Sequence, residues 1–228
     1  MQVKCYGVGV GPGDPELMTL KAVRVLKECD IVALPGVNPK ETVAYKIAVG
    51  ACPFLESKPL LALDMPMTKD ETRRIQSHEN ASILIKEQLD QGKNVVFLTL
   101  GDPTIYSTYI YVHQKLLDWG YDANLVSGIP SFCAAAARLN IGLVEKDEML
   151  HVIPASYKIE EALAFKGTKV LMKTASKMKE VKEQLINSKL DVNMVENCGM
   201  PNERVTYGAD AIEENSGYFS LIVAKEIL

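Results

Sequence analysis

Residues 7–15 read Gly7-Val8-Gly9-Val10-Gly11-Pro12-Gly13-Asp14-Pro15, four alternating glycines at the end of an apolar, β-branched run. Glycines here either bring a ligand close to backbone or allow a tight strand-to-helix turn. A dinucleotide pyrophosphate would ask for G-x-G-x-x-G. That spacing fails in every frame: read from Gly7, Gly9 or Gly11, the third glycine is replaced by Pro12, Asp14 or Glu16. Pro12 has no N–H to offer and Asp14 is anionic, both poor for holding phosphate at a helix N-terminus. A single glycine here reads as turn geometry. The run as a whole reads as a loop that holds a ligand against backbone.

Two further loops carry the same kind of signal. Thr99-Leu100-Gly101-Asp102-Pro103-Thr104-Ile105-Tyr106-Ser107-Thr108 follows the strongest strand pattern in the chain, NVVFLTL at 94–100. A backbone-exposing loop with one carboxylate suits the amino and ribose groups of an adenosyl ligand; a turn or cap role for Asp102 is the competing reading. Ser127-Gly128-Ile129-Pro130-Ser131-Phe132 leads into Cys133 and four alanines. Small residues opening a helix admit a flat ligand or a close helix-to-sheet contact.

The elements that must position these loops alternate between strand and helix patterns, which predicts an α/β fold with largely parallel sheets. Strands are expected at 3–10, 31–34, 60–63, 94–100 and 124–126. Helices are expected after Thr19, with Leu20, Val23 and Leu26 at helical spacing, and at 42–51, 70–91 and 107–119. The segment Trp119-Gly120-Tyr121-Asp122 is the expected boundary, giving domains 1–119 and 120–228. In the second domain, helices are expected at 134–139, 160–165 and 177–187, and strands at 151–153, 169–173, 191–196, 204–207 and 218–224.

Composition narrows the function classes. The 228 residues carry a net charge of −4, which disfavours a nucleic-acid binder that relies on a broad basic face. The lysine-rich stretch 166–182 reads as a solvated helix face, with a carboxylate-attracting lip as the sharper alternative. No apolar run approaches the ~18 residues of a membrane span, and no secretory signal pattern opens the chain. The five scattered cysteines read as thiols in a reducing cytoplasm. No His/Cys/carboxylate spacing predicts a protein-bound metal.

Together the three loops resemble the tetrapyrrole methylase family, the class III S-adenosylmethionine-dependent methyltransferases. The family pattern G-x-G-P-G-D-x-x-L-T-L-x-A stands as GVGPGDPELMTLKA at 9–22, with Met18 between Leu17 and Thr19. G-D-P-x-x-Y follows at 101–106 and G-[IV]-x-S at 128–131, in the family's order across essentially the whole chain. Within the family, GDPELMTLKA, the long segment between the first two motifs and LGDPTIYSTYIY at 100–111 are most similar to C-20 methyltransferases of cobalamin biosynthesis.

The resemblance implies two α/β domains with a cofactor cleft between them, and usually a homodimer. It implies methyl transfer from S-adenosylmethionine, leaving S-adenosylhomocysteine, to C-20 of cobalt-factor II. The near alternatives are metal-free precorrin-2 or another position on the corrinoid ring; a non-catalytic S-adenosylmethionine sensor is the rival from another class. Carried across by motif, Pro12, Gly101, Asp102, Ile105, Ser131 and Phe132 would line the adenosyl site. Met172, the loop Glu196-Asn197-Cys198-Gly199 with Asn197 as its ligand-facing residue, and Tyr218 would complete it from the second domain. Transfer from a sulfonium to a ring carbon calls for positioning and water exclusion more than for a strong acid or base. No histidine among His78, His113 and His151 is assigned as a base, and Tyr106, Tyr109 and Tyr111 are candidates for ring packing. The cations available for the acceptor's carboxylates are Arg24, Arg73, Arg138, Lys173 and Arg204.

Overall fold

The computed structural model describes residues 3–154 and 157–226, and the chain forms two compact units, Met1–Pro130 and Ser131–Leu228. Strands β1 (Lys4–Gly9), β2 (Ile31–Pro35), β3 (Leu60–Leu63), β4 (Val95–Thr99) and β5 (Asp122–Val126) build the first unit's sheet, all parallel, in the order β3-β2-β4-β1-β5. Between them run helices α1 (Leu20–Glu28), α2 (Val43–Ala51), α3 (Glu71–Asp90) and α4 (Tyr109–Asp118).

The run NVVFLTL is apolar throughout because β4 is covered on both faces. Val96 and Leu98 pack into the layer that holds α1 and α2. Val95 and Phe97 pack into the layer that holds α3 and α4. Strand β1 therefore exits to a helix on one face, and its neighbour β4 exits to a helix on the other. Adjacent strands whose connections part in this way leave a crevice at their carboxyl ends, where open α/β sheets take ligands.

Thr19 caps α1 as expected, its Oγ1 accepting from the Ala22 amide at 3.2 Å. Thr42 and Asp70, expected only as the first residues of their helices, cap α2 and α3. Leu26 is buried at its helical spacing, but Leu20, the first residue of α1, is 89 % exposed and lies outside the buried stripe.

The second unit departs from the expectation of largely parallel sheets. Its helices are α5 (Ser131–Leu139), α6 (Ile159–Leu163) and α7 (Met178–Asn187). Its strands are β6 (Leu150–Pro154), β7 (Thr168–Met172), β8 (Asp191–Glu196), β9 (Arg204–Tyr207) and β10 (Ser220–Lys225), in the order β6-β7-β10-β8-β9. Only β6 and β7 pair in parallel; β10 inserts antiparallel between β7 and β8, and β9 continues antiparallel. The connection between β8 and β9, residues 197–203, is too short for the crossover that a parallel pair requires.

The boundary expected at 119–122 also moves. Strand β5 pairs with β1 from Lys4↔Asp122 to Val8↔Val126, so it closes the first sheet and the units divide after Pro130. Gly120, with φ +82°, terminates α4 and turns the chain into β5 rather than into a linker. The lysine-rich stretch is not one helix face: Lys169 lies on β7, 1 % exposed, with Nζ 3.7 Å from Glu226.

One close approach locks the first unit. Tyr109 of α4 is fully buried against Phe97 at a ring separation of 4.9 Å, and its hydroxyl lies 3.6 Å from Cys5 Sγ. Burial pushes the Cys5 thiol up to about 12, partly offset by that contact. The ring lies over Gly7 so closely that an added Cβ would stand 1.9 Å from Tyr109 Cε1. Gly7→Ala is therefore expected to lower unfolding free energy by about 1–3 kcal/mol or more, read by urea denaturation.

Helices α3 and α4 also bring His78 onto Tyr111, stacked at 4.8 Å. Burial, then Arg74, holds His78 below the usual imidazole range, and burial does the same to His113, whose Nδ1 has no hydrogen-bond partner. The unfolded chain binds these protons more readily, so their contribution is complete above about pH 6.5 and falls as pH drops below it. The urea midpoint is expected to decline from pH 7.5 to pH 5.5, and less steeply in His113→Gln.

Candidate functional site

At the carboxyl edge of the first sheet, the ends of β1, β4 and β5 are joined by backbone. Gly11 and Gly101 exchange hydrogen bonds of 3.2 Å and 2.8 Å, and the Val10 amide donates to the Thr99 carbonyl at 3.0 Å. A Cβ on Gly9 would stand 2.4 Å from the Gly101 oxygen and 2.7 Å from the Gly128 nitrogen; one on Gly128 would stand 2.1 Å from the same oxygen. The alternating glycines serve this junction. They let three strand ends meet without side chains between them, and Gly11 and Gly101 adopt φ of +79° and +68° that other residues rarely take.

Asp102 closes the junction. Its Oδ2 accepts from the Gly128 amide at 3.0 Å, and its Oδ1 accepts from the Thr104 amide at 2.8 Å and from the Thr104 hydroxyl. The carboxylate, 7 % exposed, thus clasps the β4 loop to the β5 loop. The turn-and-cap reading describes these contacts. On the other side of the loop, Thr99 and Ser107 share a hydroxyl hydrogen bond of 2.9 Å, and Ser107 receives the Tyr109 amide at 3.2 Å. Between the two clamps Tyr106 is held at φ +50°, half-exposed, a conformation a bulky residue keeps only when its surroundings impose it.

Pro12 is buried in the first loop, and Ile105 is half-buried in the second. Asp14 caps the turn Pro15–Leu17 by accepting from the Glu16 amide at 2.9 Å, and Thr19 reaches the Ser127 carbonyl at 3.4 Å, tying the first loop to the third. None of the three loops contains a lysine or arginine. The edge offers backbone, apolar walls and no diphosphate cradle, which fits a nucleoside sulfonium and not a dinucleotide.

In the second unit, Ser131 opens α5 and Phe132 is buried one residue further on. Met172, Asn197 and Tyr218 come to one edge of the sheet. Met172 pairs with Leu221, Glu196 pairs with Ser220, and the Asn197 amide donates to the Phe219 carbonyl at 3.0 Å. Asn197 and Lys173 leave their strands with φ of +50° and +59°. The residue that organises this edge is Glu196, first of the loop 196–199 that the family resemblance puts at the site, and its structural role was not read from the sequence. It is 4 % exposed, and its Oε1 accepts from the Gly217 amide at 3.1 Å and the Ser220 hydroxyl at 3.3 Å. Its Oε2 meets Arg204 at 2.7 Å and 2.5 Å. A carboxylate ending an apolar strand, with an arginine eight residues on, was the available signal.

The candidate cations are largely engaged. Arg204 also pairs with Glu213 at 2.8 Å, Arg138 with Glu203, and Arg24 with Glu28 at 2.9 Å. The Gly199 amide and then Arg138 hold the Glu203 carboxyl below its ordinary range. His151 lies at the start of β6, the end away from Met172, with Nε2 2.8 Å from the Lys166 carbonyl.

A family model for tetrapyrrole (corrin/porphyrin) methylases matches residues 4–209. The chain is 37% identical to a Methanocaldococcus jannaschii protein named probable cobalt-precorrin-2 C(20)-methyltransferase, over 97% of this chain and 96% of that one. It is 29% identical to a precorrin-2 C(20)-methyltransferase of a Sinorhizobium species, over 96% and 94% of the two chains. A Thermus thermophilus uroporphyrin-III C-methyl transferase, solved with S-adenyl homocysteine, shares the fold with a TM-score of 0.71, at 20% identity and over 98% of this chain and 97% of that one.

Asp102→Ala would leave the buried Gly128 amide without its acceptor. It is expected to lower unfolding free energy by about 1–3 kcal/mol, read by denaturant titration, because an orphaned buried donor costs its full desolvation.

Proposed function

Because the chain belongs to the tetrapyrrole (corrin/porphyrin) methylase family, we propose that it methylates C-20 of a cobalt-containing precorrin-2-type ring, cobalt-precorrin-2 or its oxidised form cobalt-factor II, in cobalamin biosynthesis. The observation that carries this reading is the 37% identity to the Methanocaldococcus jannaschii protein over nearly the full length of both chains. Metal-free precorrin-2 is the second reading, favoured by the Sinorhizobium relative.

S-adenosylmethionine, when bound, supplies a methyl group on a sulfonium for in-line transfer to the ring carbon. The residues assigned to hold it are Pro12, Gly101, Asp102 and Ile105 in the first unit and Ser131, Phe132, Met172, Asn197 and Tyr218 in the second. The sulfonium loses its charge on the way to the transition state, so a free carboxylate beside it would favour the ground state. Asp102 avoids this, since its oxygens already accept from Gly128 and Thr104. Pro12, Ile105 and backbone carbonyls provide a wall that positions the donor and excludes water without adding charge. Two finer expectations stand beside it: a homodimer, from the family resemblance, and a cytoplasmic location, supported by five widely spread cysteines with no C-x-x-C pair.

The test is anaerobic incubation of purified protein with labelled S-adenosylmethionine and either cobalt-factor II or metal-free precorrin-2. Mass spectrometry is expected to show a gain of one methyl on the cobalt acceptor, and NMR to place it at C-20. Methylation of the metal-free ring alone would overturn the cobalt assignment, and methylation elsewhere on the ring would overturn the position.

A further inference from the structure

The acceptor proposed above is a flat ring with several carboxylate side chains, on a protein of net charge −4. Most of the arginines counted for its recognition are tied to carboxylates of their own unit. Arg73 is different: among the described residues no carboxylate oxygen lies within 4.0 Å of its guanidinium. It lines a cavity of about 580 Å³ beside the end of β3, together with Asp64, Pro66, Thr72, Gln76 and Asn80.

We propose that this cavity is a subsite for a carboxylate side chain of the acceptor, anchored by Arg73; the proposal rests on the functional reading above. Its position supports this. Leu63 at the end of β3 is level with Pro35 of β2, and β2 runs in register with β4, so the cavity opens at the same edge as the Gly101–Asp102 loop. Two strand spacings separate β3 from β4, about 10 Å. A macrocycle whose reacting carbon is presented over the β1–β4 crevice must extend past neighbouring strands, and β3 lies on one of its two sides. The guanidinium fork matches a carboxylate in two hydrogen bonds.

The other polar groups facing the cavity are mixed, two carboxylates and four neutral side chains. Asp70 is committed to capping α3, its Oδ1 accepting from the Arg73 amide at 3.1 Å. Gln76 donates to Asn80 Oδ1 at 2.9 Å, which leaves the Asn80 amide hydrogens for a ligand. Thr72 adds a hydroxyl. Asp64 is the opposing charge on one wall, and it disfavours any anion that Arg73 does not engage.

The experiment compares wild type, Arg73→Ala, Arg73→Lys and Arg73→Glu, with Arg24→Ala as a surface-arginine control. The readouts are KM for the cobalt acceptor, acceptor affinity by absorbance titration without S-adenosylmethionine, and S-adenosylmethionine affinity by calorimetry. Arg73→Ala is expected to raise KM and acceptor Kd about tenfold, the scale of one charge-assisted hydrogen bond. Arg73→Glu raises both further, Arg73→Lys recovers part of the loss, and S-adenosylmethionine affinity stays within about twofold throughout. Turnover by wild type with unchanged KM in Arg73→Glu would sink the subsite and leave the functional reading intact. A parallel loss of S-adenosylmethionine affinity would show a structural role and sink the subsite too. Wild-type protein that neither binds nor methylates the acceptor would sink both.

Discussion

The backbones of Gly9, Gly101 and Gly128 meet at the carboxyl edge of the first sheet with no room for a side chain between them. This contact sets the rest of the unit. From this junction β1 and β4 lead to helices on opposite faces of the sheet, and the divergence opens the crevice. Asp102 fastens the junction through two backbone amides. Its charge is spent on structure, and that suits a site whose ligand loses positive charge as it reacts. Tyr109 braces the same strands from below, lying on Gly7 and reaching Cys5.

The second unit solves a comparable problem with a buried carboxylate. Glu196 satisfies the Gly217 amide, the Ser220 hydroxyl and Arg204 at once, so the start of β10 and the end of β8 are held in one arrangement. Removing one partner of such a network strands a buried charge, which is far costlier than losing an exposed ion pair. The left-handed backbone at Asn197 follows directly after β8, one of the strands held in this way.

Electrostatics separates two tasks along the first sheet. The loops after β1, β4 and β5 carry no cation, which fits donor binding by backbone and apolar walls. Arg73 stands apart from these loops, lining the cavity beside β3. Arg138, Arg204 and Arg24 pair with carboxylates of their own units.

Much of the fold was legible in the residues. The NVVFLTL run, the cap at Thr19 and the motif loops all stand where local pattern put them, because caps, turns and periodicity act over a few residues. The order and spacing of the three glycine loops by themselves determined the family. What only the tertiary structure decided depends on partners distant in sequence. Strand β5 joins the first sheet through pairing with β1, more than a hundred residues earlier, so no local break at Gly120 could mark the boundary. The antiparallel insertion of β10 is likewise a matter of partner choice. The commitment of Asp102 to the Gly128 amide, and of Arg204 to Glu196, is a distance in space, and residue types in a row carry no such distance.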